Sequence, residues 1–188
     1  MQKRVQSFFL LLIITAQNLF SMSYDDDVLD IFAKLSPRML LMSSPLKSKD
    51  DTLSICLLHQ SVDAQSTSYF EQKVHQNYKQ GIKNFQLHLK KVLFSEIESC
   101  GSSDMLFLFR SNEEELEKTL LYAKEHNILT IAYDAKALES GVDVSLYFGR
   151  KVVPYVNMAS IKSKDISLNN VFLRISKIYN PQKQGDRR

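Results

Sequence analysis

The sequence has no tryptophan, and in 188 residues only five glycines, four prolines and two cysteines. Five glycines leave little material for a phosphate cradle, and neither a G-x-G-x-x-G nor a P-loop spacing occurs. The histidines (His59, His75, His88 and His126) are not paired at metal-ligand spacing, and no C-x-x-C stands near them, so no metal site is expected. G-x-S-x-G is absent as well, which leaves Ser111 as a capping residue rather than a nucleophile. No catalytic residue and no cofactor is assigned, and an enzyme is not expected.

Long apolar runs are also scarce, with one exception at the start. Lys3 and Arg4 precede the apolar stretch Phe8–Phe20, and Ser21-Met22-Ser23 places small residues as a cleavage site requires. As a helix those 13 residues would reach roughly 20 Å, short of the ~30 Å hydrocarbon core. Residues 1–23 therefore read as a signal peptide cleaved near Ser23, with export to the periplasm. Asp25-Asp26-Asp27, the first acidic residues, begin just beyond.

Without Lys3 and Arg4, 22 basic and 21 acidic residues leave a net charge of +1. A near-neutral domain offers no electrostatic case for nucleic acid. In an oxidising compartment the even pair Cys56 and Cys100 suggests a disulfide, against the alternative of two unlinked thiols.

Along residues 24–180, read as one domain, short apolar runs alternate with helical patterns. Asp25–Met42 reads as helical, with Val28, Ile31, Phe32 and Leu35 on one face and a break or kink at Pro37. Leu53–His59, Phe85–Leu89, Met105–Arg110 and Ile128–Tyr133 read as strands. A helix capped at Ser66 or Thr67 should run to about Gln80 and stop at Gly81. Ser111 with Glu114 reads as a capping box for a helix over Asn112–His126, whose first turn collects Glu113-Glu114-Glu115. Val142–Phe148 and Lys151–Asn157, joined by Gly149-Arg150, can only be a hairpin, and Pro154 puts its second strand at or near an edge. A closing helix over Leu168–Ile178 should turn Phe172, Ile175 and Ile178 inward, and residues 181–188 read as a polar, disordered tail. The fold class is α/β: a mostly parallel central sheet flanked by helices, with a C-terminal antiparallel hairpin and closing helix.

Two surfaces attract attention. Tyr147, Phe148 and Tyr155 gather on the hairpin beside Arg150 and Lys151, as on a protein-binding face, or as a cross-strand pair holding the sheet. Asp104, Ser111 and Asp134 flank strand ends, the edge where doubly wound sheets hold small ligands.

Several short features follow one another across most of residues 30–178. They are Ile31-Phe32-Ala33-Lys34 closing a helix, Ile55-Cys56-Leu57-Leu58 in the first strand, and Cys100 a few residues before the M-L-F-L-F strand. Gly141 then leads a hairpin ending in Val156-Asn157-Met158, and Leu173-Arg174-Ile175-Ser176-Lys177-Ile178 closes the set. In their order and spacing these features resemble the YfiR-like family of periplasmic proteins. The second cysteine pair of some members is missing around residues 137–144, and Tyr155 stands where an acidic residue is common. The resemblance implies a regulator of cyclic di-GMP signalling that binds and restrains the periplasmic domain of an inner-membrane partner, a diguanylate cyclase or a sensor kinase. It implies a Cys56–Cys100 disulfide, and the hairpin residues Tyr147, Phe148, Arg150 and Tyr155 are the expected partner face. A homodimer is left open. The alternative is a periplasmic small-ligand-binding domain using the strand-end edge.

Overall fold

The computed structural model describes residues 24–46 and 51–180, so the signal-peptide and tail readings fall outside the described residues. Strand β1 (Ser43–Ser44) follows helix α1 (Asp26–Leu40), and β2 (Thr52–His59) leads through a short 3₁₀ turn to α2 (Ala64–Asn77). Next come β3 (Gln86–Leu93), a 3₁₀ segment (Phe94–Cys100), β4 (Met105–Leu108), α3 (Glu113–Glu125), β5 (Leu129–Ala132) and the single turn α4 (Ala137–Ser140). The chain closes with β6 (Val144–Phe148), β7 (Val152–Val156), α5 (Met158–Ser163), β8 (Ser167–Leu168), α6 (Asn170–Ile175) and β9 (Lys177–Ile178).

Seven strands form one sheet in the order β3-β2-β4-β5-β6-β7-β9, and β1 pairs with β8 apart from it. The β3, β2, β4, β5 and β6 ladders are parallel; β6 and β7 are antiparallel, and β9 adds parallel to β7. The expected mostly parallel sheet with a terminal hairpin is what the chain builds.

Burial on both faces explains why the central strands are continuous apolar runs. Met105 and Phe107 of β4 join one core layer, Leu106 and Leu108 the other. Phe107 is the hub of the first layer: Phe32 of α1 meets it edge-on at 5.5 Å and Phe70 of α2 stacks on it at 4.4 Å. The second layer is covered by Tyr122 and Ala123 of α3 and by the 3₁₀ segment. There Cys100 is bridged to Cys56 of β2, with Cα atoms 5.6 Å apart, which fastens the 3₁₀ segment to the sheet.

Local chemistry corrects several expected boundaries. Of the break or kink expected at Pro37, no break occurs: α1 fills the expected span nearly to its end, because Met39 and Leu40 beyond the proline are 3% and 1% exposed and their packing carries the last turn. The capping box of α3 lies one residue later than expected. Asn112 Oδ1 accepts from the Glu115 N–H at 2.9 Å while Glu115 Oε2 accepts from the Asn112 N–H at 2.9 Å. Helix α2 ends at Asn77, three residues short of expectation, and Gly81 at φ +78° serves the following turn, where a Cβ would overlap the Phe85 carbonyl. The closing helix is only six residues long: Asn169 caps it, Ser176 is extended, and the chain continues as β9. Phe172 is buried as expected, but Ile175 and Ile178 face outward at 49% and 46% exposure.

The join between β5 and β6 is the thinnest part of the sheet, a single pair, Ile131 with Val144. Side chains replace the missing ladder. Asp143 Oδ2 accepts from the Thr130 N–H and from Thr130 Oγ1, each at 2.8 Å, and Ser145 Oγ donates to the Ala132 carbonyl at 2.8 Å. Lys164, just past α5, reaches in to donate to Asp143 Oδ2 at 2.6 Å and to the Ile128 carbonyl at 3.2 Å. Both charged side chains are almost wholly buried, at 2% and 0% exposure. Asp143 Oδ1 lies 2.6 Å from the Ser160 hydroxyl, so both carboxylate oxygens have partners.

Removing the cation alone leaves a buried carboxylate. Lys164→Ala should therefore destabilise by about 3–5 kcal/mol in urea denaturation, whereas Lys164→Met combined with Asp143→Ala should cost less than the two single changes together. Opening the Cys56–Cys100 loop by Cys56→Ala with Cys100→Ala should remove about 3–4 kcal/mol, read as a melting temperature lower by roughly 10 °C.

Candidate protein-binding surface

The β6–β7 hairpin turns through residues 149–151, with Phe148 opposite Val152 and Ser145 opposite Tyr155. Alternation sends Tyr147 and Tyr155 to one face of the sheet and Phe148 to the other. Tyr147 and Tyr155 meet edge-on at 5.7 Å, and Tyr155 meets Tyr179 at 5.6 Å. Lys177 of β9 lays its ammonium 3.3 Å from the Tyr147 ring centre and 5.3 Å from that of Tyr155. Burial, followed by the charge of Glu139 and the neighbouring Tyr155, pushes the Tyr179 phenol above its ordinary pKa.

The four expected partner residues thus divide by surroundings. Tyr147 and Phe148 are 39% and 46% exposed, and Arg150 stands exposed in the turn. Tyr155 is half-buried at the centre of the aromatic cluster and supports the others. Phe148 leans on the first core layer, its ring 6.5 Å from Phe32.

Sequence reasoning missed the residues that enlarge this end of the molecule. Val171 and Ile175 on α6 and Ile178 on β9 are exposed; with Tyr147 and Phe148 they make five of the seven exposed large hydrophobic residues recorded among the described ones. The only signal was the length of α6, which is too short to carry both isoleucines inward. Residues 144–180 also hold six basic residues and one acidic one, Asp165. Lys164 is spent on Asp143, which leaves Arg150, Lys151, Lys162, Arg174 and Lys177 on the same stretch of chain, Lys177 against the Tyr147 ring.

The alternative edge is only partly assembled. Ser111 and Asp134 line a crevice of about 490 Å³ at the C-terminal ends of β4 and β5, together with Arg110 and Lys136. Arg110 places its guanidinium 4.8 Å from the Tyr24 ring centre and 5.4 Å from that of Tyr133, and its N–H donates to Tyr24 Oη at 2.8 Å. Burial dominates in pushing the Tyr24 phenol far above its ordinary pKa, with Asp63 adding to it. Asp134 Oδ1 accepts from the Lys136 N–H at 2.9 Å, an ordinary turn bond. Asp104 is not there: it precedes β4 at the opposite end of the sheet and accepts from the Ser54 N–H at 2.8 Å. Among the described residues no three His, Cys, Asp or Glu side chains converge to hold a metal ion, and no helix is long and apolar enough to cross a membrane.

The sequence profile of the YfiR/HmsC-like family matches residues 42–177. The chain belongs to the YfiR/HmsC-like family. The fold is also similar to that of a conserved domain protein from Vibrio cholerae, with a TM-score of 0.58 and 12% identity over 81% of this chain and 60% of that one. A Streptococcus pneumoniae ABC domain in complex with L-Trp has a TM-score of 0.52 and 9% identity over 82% of this chain and 61% of its own. A Clostridium difficile substrate-binding protein with adhesive properties has a TM-score of 0.54 and 13% identity over 80% and 59%. This YfiR/HmsC-like chain thus spans about 60% of the length of these structures, and at such identities the likeness is one of fold. No curated protein matches the chain. YfiR-like proteins are periplasmic regulators, and the Cys56–Cys100 bridge fits an oxidising compartment.

The surface makes a prediction about stability. Phe148→Ser and Ile178→Ser should each change the unfolding free energy by less than about 1 kcal/mol, because both side chains already meet water. Tyr155→Ala, which removes the ring between Tyr147 and Tyr179, should cost about 2–3 kcal/mol in the same denaturation assay.

Proposed function

We propose that this YfiR/HmsC-like protein binds and restrains the periplasmic domain of an inner-membrane signalling protein, a diguanylate cyclase or a sensor kinase. The observation that carries this reading is that five of the seven exposed large hydrophobic residues recorded among the described ones lie on the hairpin and the closing segment, a stretch whose charged residues are mostly basic. Exposed aromatic anchors beside arginine are the composition of a protein-binding surface. Tyr147, Phe148 and Ile178 supply the apolar contacts, while Arg150, Arg174 and Lys177 select a partner surface with an acidic rim. Tyr155 and Tyr179 hold the surface in shape from beneath.

Phe148→Asp and Arg150→Glu, introduced singly, should abolish co-purification of a membrane signalling protein from envelope extracts and raise its output, with the melting temperature of the variants unchanged. Undiminished co-purification by both variants would remove the hairpin from the interface.

A second reading, a small-ligand-binding domain, is favoured by the crevice beside Arg110, Ser111 and Asp134. A ligand-induced thermal shift lost in Arg110→Ala but kept in Phe148→Asp would favour it over the first.

A further inference from the structure

One stretch of the chain carries charge of a single sign. Between Glu71 and Glu96 there are five lysines and two histidines and no acidic residue. Lys73 is paired with Asp30 and Lys91 with Glu71, each at 2.8 Å. Lys79 and Lys83 are exposed between α2 and β3, and Lys90 is exposed on β3, its ammonium donating to the Ser99 carbonyl. None of these three meets a carboxylate among the described residues.

The same stretch contains the long edge of the sheet. Strand β3 runs for eight residues and pairs only with β2 among the described residues, whereas β9 at the other edge has two. The Gln86 N–H donates inward to the Asp51 carbonyl at 2.8 Å, so by the alternation of a parallel ladder His88, Lys90 and Val92 also turn their main-chain groups to β2. Leu87, Leu89, Lys91 and Leu93 turn theirs outward. The two faces beside that open main chain differ. His88 and Lys90 are exposed on one, while Leu87 and Leu89 are half-buried against the first core layer on the other.

From these observations we infer that β3 accepts an added strand from another protein, an extended segment that alternates acidic and apolar side chains. The outward N–H and C=O groups supply the main-chain bonds of such an addition, and the side chains on the two faces select the guest. Apolar guest residues cover Leu87 and Leu89, and acidic ones lie beside His88 and Lys90, where opposite charges across strands are favourable. Basic residues at an edge turn away strands that carry the same charge. A second copy of β3 would set lysine and histidine against lysine and histidine, so charge excludes it as the guest. This edge stands at the far side of the sheet from the hairpin, and the inference holds whether or not the hairpin is the partner face.

The probe is a capped peptide of alternating glutamate and valine, as long as β3, added to the full protein purified from the envelope. It should bind saturably and slow hydrogen exchange at the Leu87, Leu89 and Lys91 amides, leaving those of Tyr147 and Phe148 unchanged. Lysine in place of glutamate should weaken binding at least about tenfold. His88→Glu combined with Lys79→Glu should do the same with the melting temperature unchanged, because both side chains are exposed. Leu89→Pro, which removes an outward N–H, should abolish the protection. Phe148→Asp should bind the peptide as the unaltered protein does, which separates this test from that of the hairpin face. No binding, equal binding of the glutamate and lysine peptides, or protection confined to another strand would overturn the inference. Protection of the β3 amides by phosphatidylglycerol vesicles and not by the peptide would overturn it too, by assigning the basic edge to a membrane surface.

Discussion

The hairpin surface is attached to the parallel sheet by a buried ion pair rather than by a full strand ladder. Only Ile131 and Val144 pair between β5 and β6, and Asp143 supplies what the ladder lacks through Thr130, Ser160 and Lys164. A carboxylate buried this deeply costs several kcal/mol in lost hydration unless it is paired and hydrogen-bonded throughout. Its partners come from β5, the α5 turn and the residue after it, so completing the shell fixes all three in one arrangement. Everything beyond β6, including the aromatic cluster and the exposed apolar end, takes its position from that arrangement.

The other half of the sheet is held differently. Phe32, Phe70 and Phe107 interlock across the first layer, and the Cys56–Cys100 bridge ties down the 3₁₀ segment over the second. Hydrocarbon and a covalent link secure this half, whereas the hairpin half adds a polar shell to the packing of Val144, Leu146 and Val156 in the first core layer.

The strands were legible in the sequence where burial is two-sided, as in Met105–Leu108, because every residue of such a run must be apolar. The Asp143–Lys164 clip was illegible: its members are separated by 21 residues and sit in ordinary polar stretches without a motif. Ile175 and Ile178 misled because helical spacing predicts an inward face only while the helix continues, and α6 stops after six residues. Asp104 misled because a strand-flanking residue does not reveal at which end of the sheet it stands. Tyr147, Phe148 and Tyr155 were legible as a hairpin cluster and Tyr147 with Tyr155 as a cross-strand pair, but the contact of Tyr155 with Tyr179 was not, because only β9 brings that ring beside it.

The claim that this apolar, basic end is the partner face is tested most directly by site-specific photocross-linking in intact cells. A benzophenone side chain at position 148 should capture an inner-membrane signalling protein through its periplasmic domain, while the same group at exposed position 121 on α3 captures none. Capture from position 121 with none from position 148 would contradict the account and move the interface to the helical face.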